Sequence, residues 1–386
     1  MQVLLTYGKH SKTLSAVRSL GRAGKQVIVT DDAKGALSFF SKYCHKSIVT
    51  ASPLANPDAF LNEVCALVEE EAVDLLIPMD DPECDILSKA ANSLKVKTTV
   101  ALPSTDAYEV ARNKDRTVRL AANLGIIVPK SRVVGNIQQL RDATDELGFP
   151  SVVKPLRSSG SRGFQIVSKR EDIEGTSGLF DHYGSLVAQE FIPNAGALGV
   201  SCLLDHGKTL AQFAHKRLLE FPETGGASIV SESMRHPEAE NAGRVILEHI
   251  GWHGIAMVEF RVNARTNKPV LMEINPRFWG TLPLAIACGV DFPRLLCELY
   301  ERGHAGPVES YRVGVRCVNL LPRGVASAVA PGGVRRLLRT LRYASHCRCF
   351  YVESFDDPLP TFGAALELLR YSVDRNMFQS FYRRSQ

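Results

Sequence analysis

Two neighbouring apolar runs carry charge where a buried strand should have none. In VLMEINPRFWG (270–280), Glu273 and Asn275 sit among Val270, Leu271, Met272 and Ile274, and in MVEFRV (257–262), Glu259 sits among apolar neighbours. Side chains alternate across a strand, so Glu273 and Asn275 share one face. The turn-rich ARTNKP (264–269) between the runs predicts a hairpin. A turn centred near residue 266 sets Glu259 nearly opposite Glu273. An unpaired buried carboxylate is costly. Two carboxylates and an amide oxygen gathered on one face suit Mg²⁺, which binds through one or two carboxylates plus substrate phosphates. The competing reading is a water-facing edge, and the apolar residues between the three argue against it.

A Mg²⁺ held this way needs phosphates, and SVVKPLRSSGSRGF (151–164) offers a cradle for them. Lys154 ends a strand, and Ser158, Ser159, Gly160, Ser161, Arg162 and Gly163 follow. Small residues let backbone N–H groups approach an anion, and serine hydroxyls add donors. The lysine precedes the glycines and no helix-opening G-K-[ST] is present, so this is not a Walker loop.

The rest of the chain sets the frame. QVLLTY, a helix over 11–23 and KQVIVTDD read as a β-α-β opening, and a helix near 57–71 leads to VDLLIPMDD. The pattern predicts an open parallel α/β domain over 1–103, and the absence of G-x-G-x-x-G argues against a dinucleotide site. Ligands of such sheets lie beyond the strands' C-terminal ends, so Asp80 and Asp81 either meet one or, for Asp81 before Pro82, cap the next helix. A helix near 106–124 containing NKD, then alternating strand and helix patterns, begins an α+β region. No apolar run approaches the roughly 20 residues of a membrane span, and the opening residues read as a strand, not as a signal peptide. Nine cysteines without zinc-type spacing, including the C-x-C at Cys347 and Cys349, read as reduced thiols of a cytoplasmic protein.

Residues 312–386 hold twelve arginines, no lysine and five acids, a net +7 that leaves −2 for the rest of the chain. A solvated basic face explains this better than nucleic-acid binding, because aromatic residues are not regularly interleaved with the arginines. Within it, VRRLLRTLRY (334–343) predicts an amphipathic helix with Val334, Leu337, Leu338 and Leu341 on one side.

Four pieces in order, NKD, VVKP with its Gly/Ser loop, QEFIP, and EF followed by MEINPRFWG, resemble the ATP-grasp superfamily over roughly 104–300. The resemblance implies a two-subdomain fold, 104–190 and 191–311, between a preceding α/β domain and a small basic C-terminal extension, with ATP between the subdomains. It implies that Lys114 and Lys154 contact phosphates and that the loop Ser158, Ser159, Gly160, Ser161 and Gly163 closes over them. Glu190, Phe191 and Ile192 would read adenine, and Glu259, Glu273 and Asn275 would hold Mg²⁺, or Mn²⁺ in its place. Arg277 would face the transferred phosphoryl group. The sequence departs from the family pattern at NAGALGVSC, which has no acid before Asp205, so the ribose contact is unassigned.

HKRLLEFPETGGAS (215–228) resembles the substrate-side segment of ATP-grasp carboxylate–amine ligases, with Lys216 and Arg217 as candidate carboxylate anchors. Neighbours on a strand point to opposite faces, so one of the two reaches the site. The resemblance implies a ligase that joins a small-molecule carboxylate, amino acids among the candidates, to an amine through an acyl phosphate. A carboxyphosphate-forming enzyme and a non-catalytic ATP-binding regulator are the alternatives; no biotin-attachment or glutaminase segment is visible, and the intact Lys114, Lys154, Glu259, Glu273 and Asn275 weigh against the regulator. A homodimer is the default assembly.

Overall fold

The computed structural model describes residues 1–94, 98–158, 160, 162–221, 226–329 and 332–373. The first sheet contains β1 (Gln2–Leu5), β2 (Gln26–Asp31), β3 (Lys46–Val49), β4 (Leu75–Ile77) and β5 (Thr99–Val100), all parallel, in the order β3-β2-β1-β4-β5. Strand alternation divides its side chains between two cores. Leu4, Ile28 and Leu76 pack with Phe60, Val64 and Leu87 of α2 (Pro57–Glu70) and α3 (Asp81–Leu94). On the other face, Val3, Leu5, Val29 and Ile77 join α1 (Ser11–Arg22) in a core that runs on into Phe278, Trp279, Leu282 and Phe292. The N-terminal sheet is therefore buried against the residues that follow the Glu273 strand.

The expected helix near 106–124 is two helices, α4 (Thr105–Arg112) and α5 (Lys114–Asn123). Asn113 breaks it: its backbone is extended, and its side chain accepts from the backbone N–H groups of Asp115 and Arg116. Asparagine favours this N-cap geometry over a helix interior. The cap puts Lys114 at the first position of α5.

A four-stranded antiparallel sheet follows, in the order β6-β9-β7-β8, from β6 (Ser131–Val134), β7 (Ser151–Pro155), β8 (Gln165–Val167) and β9 (Leu186–Glu190). Helices α6 (Ile137–Leu147) and α7 (Ser177–Tyr183) complete this unit. The larger sheet has the order β14-β13-β10-β11-β12-β15-β16. Its strands are β10 (Asn194–Asp205), β11 (Lys208–Phe221), β12 (Ala227–Met234), β13 (Gly254–Asn263), β14 (Pro269–Asn275), β15 (Arg316–Val318) and β16 (Cys349–Phe350). Helix α8 (Pro237–His249) covers one face, and α9 (Leu282–Cys288) and α10 (Phe292–Arg302) link the sheet to α1.

Three features mark the C-terminal region. It extends the large sheet with β15 and β16, and Asp357 returns to the first domain. There Arg18 donates to the Asp357 carboxylate at 2.9 Å and to the carbonyls of Val352 and Asp357 at 2.8 Å. The thiols are not all reduced: β15 and β16 run parallel with Cys317 in register with Cys349, and the two form a disulfide. Finally, α11 (Gly333–Ala344) is the expected amphipathic helix, and its apolar stripe faces water, with Val334 71% and Leu338 62% exposed. It packs instead through Gly333 and Thr340, because a glycine without Cβ can lie against the Ala328 backbone. The last helix, α12 (Leu359–Val373), packs near Phe40 of the N-terminal domain. No helix among the described residues is long and apolar enough to cross a membrane.

Candidate active site

The β13–β14 hairpin sets Glu259 directly opposite Glu273 and Met257 opposite Asn275, with a bulge after Glu259. The Asn275 amide lies 3.5 Å from Glu273 Oε1. Each carboxylate has its own cation. Arg217 donates to Glu259 Oε2 at 2.5 Å, and Lys114 Nζ lies 3.4 Å from Glu273 Oε2. Burial opposes charge on Glu273, but Lys114 and Lys154 more than offset this and hold its carboxyl below the ordinary value. The donor set is all oxygen and half-buried, which fits a hard divalent cation.

Lys154 stands in β7 with only 7% of its surface exposed. Burial, then the neighbouring Lys114 ammonium, lower its pKa to about 8, while Glu273 pulls the other way. Lys114 reaches the Gly/Ser loop, donating to the Ser158 carbonyl at 2.8 Å and approaching its hydroxyl at 3.3 Å. Gly160 and Gly163 both take positive φ, and a Cβ on Gly163 would lie 2.7 Å from Pro155, so the loop's return to β8 requires glycine. Ser159 and Ser161 lie outside the described residues.

On β9, which pairs with both β6 and β7, Glu190 is the last residue and accepts from the Lys130 backbone at 3.1 Å. Phe191 is half-buried and Ile192 is buried. Strand alternation separates Lys216 from Arg217. Lys216 pairs with Glu232 on β12 at 2.8 Å, on the face away from the hairpin carboxylates, while Arg217 reaches Glu259. His215 shares the Arg217 face. It is buried against Thr281 at 2.9 Å and Phe213, and burial followed by the Arg217 charge lowers its pKa to about 3.

Arg277 is engaged by the N-terminal domain. Its Nε lies 2.9 Å from Asp81 Oδ2 and 3.3 Å from Asp80 Oδ1. Asp81 is the first residue of α3 and also takes this guanidinium, so the acid pair joins an inter-domain ion cluster. Lys12, 2% exposed, pairs with Asp80 at 2.7 Å, and beside it burial followed by Asp80 raises Glu83 to about 8. No local sequence motif marks Lys12. Its signal was positional, since it follows the first strand of a parallel sheet, where ligands gather.

Two α+β subdomains meeting over a carboxylate hairpin and a lysine-bearing strand define an ATP-grasp fold. Residues 111–319 match models of ATP-grasp domains: one of an ATP-grasp domain found in a biosynthetic pathway with the Ter operon matches residues 184–319, and a RimK-like ATP-grasp model matches residues 111–217. A formate-dependent phosphoribosylglycinamide formyltransferase of Methanocaldococcus jannaschii is 26% identical over 269 residues, 66% of this chain and 64% of that protein. The chain thus spans just under two thirds of that relative's length. In fold it is similar to biotin carboxylase from Campylobacter jejuni (TM-score 0.68, 18% identity, covering 81% of this chain and 74% of that one). It is also similar to N5-carboxyaminoimidazole synthetase from Staphylococcus aureus complexed with ADP (TM-score 0.66, 16% identity, 89% and 85%).

Proposed function

We propose that the protein is an ATP-dependent carboxylate–amine ligase working through an acyl phosphate. The observation that carries this is the facing pair Glu259 and Glu273, each matched by a cation, beside Lys154. A carboxylate oxygen of the acid attacks the γ-phosphorus of ATP, and the bond to the β-bridging oxygen breaks to release ADP. The amine nitrogen then attacks the acyl carbon, phosphate leaves, and the nitrogen loses a proton. The relative's name, a formate-dependent formyltransferase, describes the same outcome, a carboxylate converted to an acyl group on an acceptor.

In this reading Lys114 and Lys154 neutralise phosphate charge, the loop around Ser158, Gly160 and Gly163 excludes water, and Arg217 orients the acid. Positioning and charge neutralisation are the main demands of phosphoryl transfer. Glu190, Phe191 and Ile192 border the base. Glu259, Glu273 and Asn275 hold Mg²⁺, which when bound neutralises the nucleotide phosphates; Mn²⁺ is its expected substitute. Arg277 joins the transfer site only if nucleotide draws it from Asp81.

The test is ADP release over a panel of carboxylates, bicarbonate included, with and without amines, and with hydroxylamine as trap. Hydroxylamine captures an acyl phosphate as a hydroxamate but leaves free carboxylates alone. ADP release that depends on an acid, with ATP-dependent hydroxamate, is the expected result. ADP release indifferent to every acid would sink the proposal, and dependence on bicarbonate alone would replace it with carboxyphosphate chemistry.

A further inference from the structure

A second cluster of ligating side chains lies at the far end of the large sheet. Asp205 ends β10, six residues beyond Gly199, or roughly 20 Å along the strand at about 3.3 Å per residue. His206 and Gly207 form the two-residue turn into β11, both at positive φ, 42° and 84°. A turn of this hand matches strand twist, and histidine tolerates the conformation better than most side chains. The turn is docked: Gly207 N–H donates to the Trp252 carbonyl at 2.8 Å, and a Cβ there would lie 3.2 Å from the Glu248 carbonyl. Docking brings His253, which directly precedes β13, against the turn. The rings of His206 and His253 stack at 4.2 Å, and His253 Nδ1 lies 3.3 Å from Asp205 Oδ1, with His206 Nε2 at 4.0 Å from the same oxygen.

One ligand atom from each of the three residues lies within 4.8 Å of the other two. A tetrahedral ion with bonds of about 2.0–2.1 Å to nitrogen wants neighbouring ligand atoms roughly 3.4 Å apart. The remaining gap is small, and the His206 side chain, 80% exposed, can swing to close it. A further group faces the cluster. Tyr300 meets the His253 ring edge-on at 5.2 Å, and its buried hydroxyl has no hydrogen-bond partner among the described residues.

We propose that Asp205, His206 and His253 bind a divalent transition-metal ion of the zinc, cobalt and nickel class, at a site separate from the hairpin carboxylates. Two imidazoles with one carboxylate favour such ions over Mg²⁺ or Ca²⁺. The ion would pin the β10–β11 turn to the start of β13, with open positions left to water. This inference does not depend on the ligase reading.

The test uses the chelator-treated full chain in excess Mg²⁺, which fills hard oxygen sites, titrated with Co²⁺ and read by its visible d–d absorption. One equivalent should bind and be displaced by Zn²⁺. His206→Asn keeps a residue suited to positive φ, and His253→Asn is checked for folding by circular dichroism. Each should weaken Co²⁺ binding by about 10- to 100-fold or more, at least what losing an outer-shell partner costs. The double variant Glu259→Gln/Glu273→Gln should bind Co²⁺ normally. Unchanged binding in the folded histidine variants, thiolate-to-cobalt charge-transfer bands, or loss of binding in the double variant would each overturn the proposal.

Discussion

Arg217 donates its guanidinium to Oε2 of Glu259 at 2.5 Å, from a strand two positions across the sheet. Burial weighs against the Arg217 charge, yet Glu259 and Glu220 hold it protonated. Removing it leaves Glu259 half-buried without its partner. Breaking a fully buried pair costs about 3–5 kcal/mol. The Glu259 side chain is 21% exposed, so Arg217→Ala should cost about 2 kcal/mol. Urea unfolding of nucleotide-free protein reads this directly. Adding Mg²⁺ should return part of the loss, and a midpoint equal to the parent's would show that the pair contributes nothing.

Glu273→Gln keeps shape and removes one negative charge from the hairpin. The fold should survive, because the lost partner of Lys114 is replaced by its bonds to Ser158. ADP release should fall by at least about 100-fold, the scale of losing a preorganised electrostatic group. Normal turnover at low-millimolar Mg²⁺ would remove this carboxylate from the site.

Lys154 makes nucleotide affinity depend on pH. Its pKa is lowered to about 8, below the ordinary lysine value, so the charged form is lost as pH rises through 8. Phosphate binding needs that charge, so nucleotide affinity measured by calorimetry should weaken from pH 7 to 9. Lys154→Arg should flatten the profile, since arginine stays charged. Stability moves the opposite way. The unfolded chain holds its proton up to the ordinary lysine range, so this residue's contribution to stability is fully present above that range and is lost as pH falls through about 8. Affinity constant across pH 7–9 would rule out a phosphate contact by this lysine.

Gly199 sits between Glu259 and His215 in the same cross-strand row. A Cβ there would lie 2.3 Å from His215 Cε1 and 3.0 Å from Met257 Sδ. Gly199→Ala should therefore cost about 1–3 kcal/mol by overpacking. The double change Gly199→Ala/His215→Ala should recover stability relative to His215→Ala plus Gly199→Ala taken separately, a coupling that thermal unfolding can measure.

Asp357 accepts from Arg18, from Ser41 Oγ at 2.6 Å and from the Lys42 backbone at 3.0 Å, and is 1% exposed. Asp357→Ala strands the Arg18 charge and should cost about 3 kcal/mol or more. A change under about 0.5 kcal/mol, the range of ordinary surface substitutions, would show that Arg18 finds water instead.

The hairpin was legible because a period-2 pattern with a turn at its centre fixes which residues face each other: Glu259 meets Glu273 in register. Lys216 and Arg217 split by the same rule. The two-helix break was legible too, had Asn113 been read as a cap rather than a helix interior residue. Long-range pairings were not. Nothing local distinguishes Arg277 as the partner of Asp81, 196 positions away, or Cys317 as the partner of Cys349. The amphipathic pattern of α11 shows that the helix has two faces, and not which one a glycine will let the backbone approach.

Arg18 and Asp357 are 339 positions apart. At about 5–20 residues per second, the ribosome needs roughly 17–70 s to make the stretch between them. During that interval the N-terminal sheet can pair its strands, but Arg18 has no carboxylate to meet. The α1 face carrying Val17 and Leu20 also lacks Phe292 and its neighbours. The N-terminal sheet is therefore finished only once the chain has been made through Asp357, and its apolar flank is open to chaperones until then.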